Sequence, residues 1–134
     1  MRRILIVDDS PTIRRMVKAS LSGVASGFGE AGSGLEAIEQ LTLQPVALMV
    51  LDLNMPDLHG LEVLKFVRSH PRMQSLPVIV LTTRGDDSSR EAALAAGATA
   101  YMTKPFVPAE LSERIGRLLA ETPPASPGGT HVGP

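Results

Sequence analysis

Apolar residues along this chain fall in short unbroken runs that stop at polar residues, with stretches of helical spacing between them. Ile4-Leu5-Ile6-Val7 stops at Asp8-Asp9, and Ala47-Leu48-Met49-Val50-Leu51 stops at Asp52. Val78-Ile79-Val80-Leu81 stops at Thr82-Thr83, and Ala100-Tyr101-Met102-Thr103 at Lys104-Pro105. Runs without polar alternation are what strands covered on both faces require. Between them, Ile13, Met16, Val17 and Leu21 fall at i, i+3, i+4 and i+8, and Leu111, Ile115, Leu118 and Leu119 at i, i+4, i+7 and i+8. Each set makes one apolar helical stripe. Ser10 before Pro11 predicts a capped helix start, and Ser33-x-x-Glu36 and Ser88-x-x-Glu91 predict capping boxes. Gly97 predicts the C-terminal stop of the helix that Ser88 opens.

The alternation also demands a strand within 24–32, where only Phe28, Glu30 and Ala31 support one, so a short edge strand is expected. Five strands alternating with five helices predict a three-layer α/β domain with right-handed crossovers. Strand order does not follow from the pattern. If the runs are parallel neighbours, their polar ends meet at one carboxyl edge, where open parallel sheets bind ligands. After Glu121 the chain turns to Thr122-Pro123-Pro124-Ala125-Ser126-Pro127-Gly128-Gly129, with no apolar period. The expectation is a folded domain over 1–121 and a disordered Pro/Gly-rich tail or linker stub over 122–134.

Composition narrows the chemistry. A chain of 134 residues is enough for one domain with one core. It has no cysteine, which excludes disulfides, thiolate metal sites and cysteine nucleophiles and leaves oxygen chemistry. Thirteen basic against fourteen acidic side chains give no electrostatic footprint for nucleic acid or an anionic membrane. Met1-Arg2-Arg3 has the charge of a signal peptide, but Asp8 ends the apolar run at once. No run approaches the roughly 18 residues of a membrane span, and a cytoplasmic location is expected.

Several motifs lead nowhere. Gly27-x-Gly29-x-x-Gly32 matches a dinucleotide fingerprint, with Asp52 about twenty residues further on. The motif should follow a buried strand, yet Ser22-Gly23-Val24-Ala25-Ser26 precede it like a frayed helix end, so a glycine-rich connection is expected. There is no phosphate-binding G-x-x-x-x-G-K-[S/T] loop. His59, His70 and His131 lack metal-ligand spacing and read as solvated, while Ser10 and Ser33 read as caps rather than nucleophiles.

The polar ends remain. Asp8, Asp9 and Asp52 would repel one another strongly unless a divalent cation and Lys104 neutralise them. Oxygen ligands with open coordination suit Mg²⁺. Taken alone, Asp8-Asp9 is equally a helix-capping loop. Lys104, the Thr82 hydroxyl and the Thr83 N–H complete a set of groups able to hold a phosphoryl dianion. The three carboxylates balance Mg²⁺ plus Lys104, and phosphorylating one carboxylate would shift the site by about one negative charge. Such a change can bias a switch.

Asp8-Asp9, Asp52-Leu53-Asn54-Met55-Pro56-Asp57-x-x-Gly60, Leu81-Thr82-Thr83 and Lys104-Pro105-Phe106, in this order at strand ends, resemble the receiver domains of two-component response regulators. The likeness runs from residue 2 to about 120, and Ser10-x-Thr12-x-Arg14-Arg15-Met16-Val17 is most similar to stand-alone chemotaxis (CheY-like) regulators. It implies a flavodoxin-like (βα)₅ fold, doubly wound, with strand order 2-1-3-4-5. It further implies Asp52 as phosphoacceptor from a histidine kinase. Asp9, Asp52 and the Asn54 carbonyl would hold Mg²⁺, with Mn²⁺ as a substitute, and Asp8 would assist directly or through water. Lys104 would pair with Asp52 and then with the phosphoryl group, and Thr82 would swing toward that group, leaving room for Tyr101 to turn inward. Tyr101 as a plain half-buried strand aromatic is the alternative. The Lys104-Pro105 bond would be cis. Asn54 and Arg84 occupy positions that tune phosphoryl loss, although Arg84 could equally be solvated.

Two departures stand out. Thr83 replaces the usual alanine, glycine or serine and narrows access to Asp52, and Asp86-Asp87-Ser88-Ser89-Arg90-Glu91 is more acidic than the corresponding helix start of enteric flagellar regulators. The implied partners are a chemotaxis-type histidine kinase, a flagellar or pilus motility target bound around Glu91, Tyr101 and Glu113, and a phosphatase. The other readings are a receiver cut from a hybrid sensor kinase or multidomain regulator, an interaction module with a dead site, and an aspartyl-phosphate phosphatase. The last wants Asp-x-Asp after the first strand, whereas these aspartates are adjacent.

Overall fold

A computed structural model describes residues 2–121 of the chain. In chain order the elements are β1 (Arg3–Val7), α1 (Pro11–Ser20), β2 (Gly27–Ala31), α2 (Gly34–Leu43), β3 (Leu48–Leu51), α3 (Gly60–Ser69), β4 (Val78–Thr82), α4 (Asp87–Ala95), β5 (Ala100–Thr103) and α5 (Pro108–Glu121). The strands form one parallel sheet in the order β2-β1-β3-β4-β5. The expected tail over 122–134 lies outside the described residues.

The apolar runs are buried on both faces because alternate side chains feed two cores. Leu5, Val7, Met49, Leu51, Val78 and Val80 face Ala37 and Leu41 of α2, Val63, Leu64 and Val67 of α3, and Ala93 of α4. Ile4, Ile6, Leu48, Val50, Ile79 and Leu81 face Val17 and Leu21, in and just after α1, and Leu111, Ile115 and Leu119 of α5. Helices therefore cover both sides of the sheet, giving three layers.

Most predicted boundaries correspond to a cap. The Ser10 hydroxyl accepts from the Ile13 N–H at 3.2 Å, with Pro11 opening α1. Gly97, at φ +114°, closes α4 in a Schellman motif: Ala98 N–H donates to Ala93 O and Gly97 N–H to Leu94 O. Three details differ from expectation. The α4 cap is Asp86, whose carboxylate accepts from Ser89 N–H at 3.0 Å, leaving Ser88 inside the first turn; a charged acceptor suits the positive end of the helix dipole. At α2 the Ser33 hydroxyl caps Glu36 N–H as expected, but Glu36 Oε1 accepts from Gly32 N–H rather than Ser33 N–H. Met16 is 47% exposed, because its neighbour Val17 points at the sheet and adjacent helical residues lie about 100° apart.

β2 is an edge strand, and it explains the failed glycine fingerprint. Gly27 and Gly29 lie within the strand and not in a turn after it. A side chain at Gly29 would meet the Arg3 guanidinium, and one at Gly32 would approach the Arg14 guanidinium to 3.3 Å. The glycines make room for arginines.

Candidate functional site

The sheet order reverses between β1 and β3, since the chain leaves β1 for β2 on one side and returns for β3 on the other. The crevice at that switch point is where open α/β sheets take ligands. Register then fixes which groups enter it. Val7 pairs with Leu51, and Asp52 N–H donates to Val7 O at 2.9 Å, so Asp8 and Asp52 leave the sheet side by side. On the other side Thr82 pairs with Thr103, and Lys104 N–H donates to Thr82 O at 2.8 Å. Lys104 thus emerges beside β4 and reaches back over the carboxylates. The Lys104–Pro105 peptide is cis.

Asp8, Asp9 and Asp52 each offer a carboxylate oxygen within 4.8 Å of the others. Asp8 and Asp52 are only 3% and 5% exposed, while Asp9 is exposed. Lys104 Nζ lies 2.7 Å from Asp8 Oδ2 and 3.7 Å from Asp52 Oδ2. The close hydrogen bond therefore goes to Asp8, where a pairing with Asp52 was expected, and one ammonium serves two buried carboxylates. Asp8 Oδ1 also accepts from Ser10 N–H at 2.9 Å. Burial raises the proton affinity of Asp52, and the Asp8 and Asp9 charges add to that rise against the pull of Lys104 and the Asn54 N–H. The donor set is all oxygen, crowded and excess-negative, which fits a hard divalent cation.

Around this centre, Thr82 is fully buried. Its hydroxyl accepts from Asn54 Nδ2 and from Arg84 N–H, both at a long 3.4 Å. Asn54 N–H approaches Asp52 Oδ1 at the same 3.4 Å. Thr83 is exposed at the rim, and Arg84 turns to Asp86 at 3.6 Å. Tyr101 is half-buried, with its hydroxyl donating to Arg84 O, and burial next to Asp86 raises its pKa. His59 caps α3 by accepting from Leu61 N–H through Nδ1, a role its sequence context did not suggest.

Two contributors to the site's frame were not legible as such. Asp57, quoted only as part of a motif, accepts from Gly34 N–H at 3.1 Å and Leu35 N–H at 3.0 Å, so it caps α2 from the loop that follows Asp52. Those hydrogen bonds hold its carboxyl below the usual range. Gly34 lacks a side chain where Leu58 crosses, since a Cβ there would sit 2.7 Å from Leu58 Cβ. The signal existed only as an acidic residue and a glycine more than twenty positions apart.

The response regulator receiver domain family matches residues 4–116. The chain belongs to that family. Chemotaxis protein CheY1 of Helicobacter pylori is 39% identical over 115 residues, covering 84% of this chain and 93% of that protein. Among solved structures, the chemotaxis response regulator CheY4 of Vibrio cholerae superposes with a TM-score of 0.81 at 32% identity, covering 88% of this chain and 98% of that one. The Mn²⁺-bound form of response regulator Rcp1 gives a TM-score of 0.75 at 28% identity, over 90% of this chain and 94% of that one. The receiver is thus a two-component response regulator closely related to chemotaxis regulators, with the expected fold and strand order. Among the described residues no helix is long and apolar enough to cross a membrane.

Proposed function

We propose that this receiver is a phosphorylation-driven switch of the chemotaxis type, working in the cytoplasm, with Asp52 as phosphoacceptor. The observation that carries the reading is the convergence of the buried Asp52 carboxylate, two further carboxylates within 4.8 Å and the Lys104 ammonium at one switch point. Asp8, Asp9 and Asp52, with the Asn54 carbonyl, are the residues that would hold Mg²⁺. Bound there, the ion would supply positive charge to the carboxylates and to the oxygens of the transferring group. The Mn²⁺-bound neighbour supports a divalent ion in such a site, with Mn²⁺ as an alternative to Mg²⁺.

In the proposed reaction an Asp52 oxygen attacks phosphorus in line. The P–N bond to a kinase imidazole breaks, and the imidazole keeps the electron pair. Lys104 transfers its attraction from the bare carboxylates to the phosphoryl oxygens, and the Thr82 hydroxyl and Thr83 N–H supply hydrogen bonds. Water later attacks the same phosphorus, releasing inorganic phosphate and restoring the carboxylate. Asn54 and Arg84 flank that approach and set its rate. The chain is thus a phosphoacceptor that promotes its own phosphorylation and slow dephosphorylation rather than a classical enzyme. Movement of Thr82 toward the phosphoryl group makes room for Tyr101, and the surface around Glu91, Tyr101 and Glu113 presents the result to a motility target. A groove lined by Asp87, Arg90, Tyr101, Glu110 and Arg114 adjoins that surface through Tyr101, although Glu91 and Glu113 do not line it. A phosphatase would act on the same phosphorylated face.

The test is phosphoryl transfer from a radiolabelled chemotaxis-type histidine kinase, or from acetyl phosphate, with and without Mg²⁺. Acid-stable, base-labile label on wild type, absent from Asp52→Asn, is expected. Wild-type labelling of Asp52→Asn would overturn the assignment.

A further inference from the structure

Asp8 and Asp9 play different structural parts. Asp8 is buried and held at both carboxylate oxygens, by Ser10 N–H and by Lys104 Nζ. Asp9 is exposed, and its carboxylate has no hydrogen-bond partner among the described residues. What aims the Asp9 side chain is therefore its backbone, and the peptide group that enters Asp9 is the Asp8 carbonyl. Arg14 of α1 takes hold of that group. Its Nη1 donates to Asp8 O at 2.6 Å while its Nε pairs with Glu30 Oε1 of β2 at 3.0 Å. The Arg14 side chain is 18% exposed, and the missing side chain of Gly32 leaves its guanidinium room. Lys18 joins the same Glu30 carboxylate at 3.1 Å but is half exposed and reaches no backbone carbonyl. The two cations hold Glu30 ionised below the usual carboxylate range, Arg14 foremost.

We infer that Arg14 is a positioning residue for the cation site: braced on Glu30, it fixes the Asp8–Asp9 peptide plane so that the Asp9 carboxylate faces Asp8 and Asp52. The inference rests on the reading of the acidic cluster as a Mg²⁺ site. A planar guanidinium suits this task because its fork makes two hydrogen bonds in fixed directions, which an ammonium cannot. Coulomb repulsion of the cation and positioning predict opposite signs for its removal. Deleting a positive charge beside three carboxylates should tighten Mg²⁺ binding if charge alone matters, whereas losing the brace should weaken it. Groups that orient metal ligands typically contribute tenfold or more to affinity.

The experiment is calorimetric titration of MgCl₂ into wild type, Arg14→Met, Arg14→Lys and Lys18→Met, each checked for folding by urea titration. Arg14→Met should bind Mg²⁺ about tenfold more weakly. Arg14→Lys, with its charge kept, should lose nearly as much, and Lys18→Met should match wild type or bind slightly tighter. Should Arg14→Met fail to fold, Arg14→Lys carries the comparison. Wild-type affinity in Arg14→Lys, or unchanged or tighter binding in Arg14→Met, overturns the positioning role and leaves the cation site standing. No Mg²⁺ binding by wild type would overturn the cation site and this inference together.

Discussion

The two sides of the crevice are held in different ways. On the β1/β3 side the frame around the acceptor is tied down at short range, Asp8 by Ser10 and Lys104, its carbonyl by Arg14, and Asp52 N–H by Val7 O, while the Asp52 carboxylate itself has only long contacts, to Asn54 N–H at 3.4 Å and Lys104 at 3.7 Å. On the β4 side the fully buried Thr82 hydroxyl has two contacts, both at 3.4 Å, and the chain runs out through exposed residues 83–86 before α4 begins at Asp87. Hydrogen bonds at that length contribute little. α4 is itself anchored at its far end, where Arg68 Nε and Nη2 both donate to Gly97 O. A charge change in the braced half can therefore be relieved at small cost only in the loose half. In the proposed switch, β1/β3 would therefore receive the signal and the β4–α4 segment would transmit it.

That contrast can be broken from the braced side with the largest effects. Asp52→Asn should abolish phosphoryl uptake while raising the urea midpoint of the Mg²⁺-free protein, because it removes a buried charge that burial and Asp8 disfavour. A lower midpoint would mean that the carboxylate contributes to the frame. Lys104→Met strips the cation from two buried carboxylates and should cost about 3 kcal/mol in urea unfolding without Mg²⁺. Millimolar Mg²⁺ should restore much of that loss by binding the folded state alone. Lys104→Arg keeps charge but misplaces it, and phosphorylation should survive while output falls. On the loose side, Thr82→Ala should change stability by less than about 1 kcal/mol, since its hydrogen bonds are long. It should keep phosphoryl uptake and lose target binding. A stability loss near that of Lys104→Met would show that the two halves are equally braced.

Much of this could be read from the chain itself. The ends of β1, β3, β4 and β5 were legible because their strands are apolar runs stopped by a polar residue, charged after β1, β3 and β5 and threonine after β4, and such a residue lies at the end of the sheet. β2 was faint because two of its five residues are glycines, one of them, Gly29, lying against the Arg3 side chain, and Phe28 and Ala31 are too few to make a run. Strand order came from resemblance alone, because pairing is decided between residues far apart in sequence. The braces were hidden for the same reason. Arg14 meets Glu30 and Asp8 O, and Asp57 meets Gly34, through contacts that no local period encodes. The α4 cap was misplaced by two residues since Asp86 and Ser88 are both competent caps, and the charged one sits nearer the helix dipole's positive end.

The smallest effect tests where the bracing stops. Asp57 ties the loop after Asp52 to the start of α2 through the N–H groups of Gly34 and Leu35, and these hold its carboxyl below the usual range. A carboxyl whose folded pKa is depressed stabilises the fold above its unfolded value and loses that contribution as pH falls through the folded one. Asp57→Asn should therefore lower the melting temperature slightly at neutral pH, and the difference from wild type should close on acidification below pH ~4. Phosphoryl uptake at saturating Mg²⁺ should be unchanged, because Asp57 touches α2 rather than the carboxylates. A deficit that persists in acid would assign the role to shape instead of charge. A loss of uptake would extend the braced half across the whole β3–α3 loop, leaving the β4 side as the sole place where the crevice can yield.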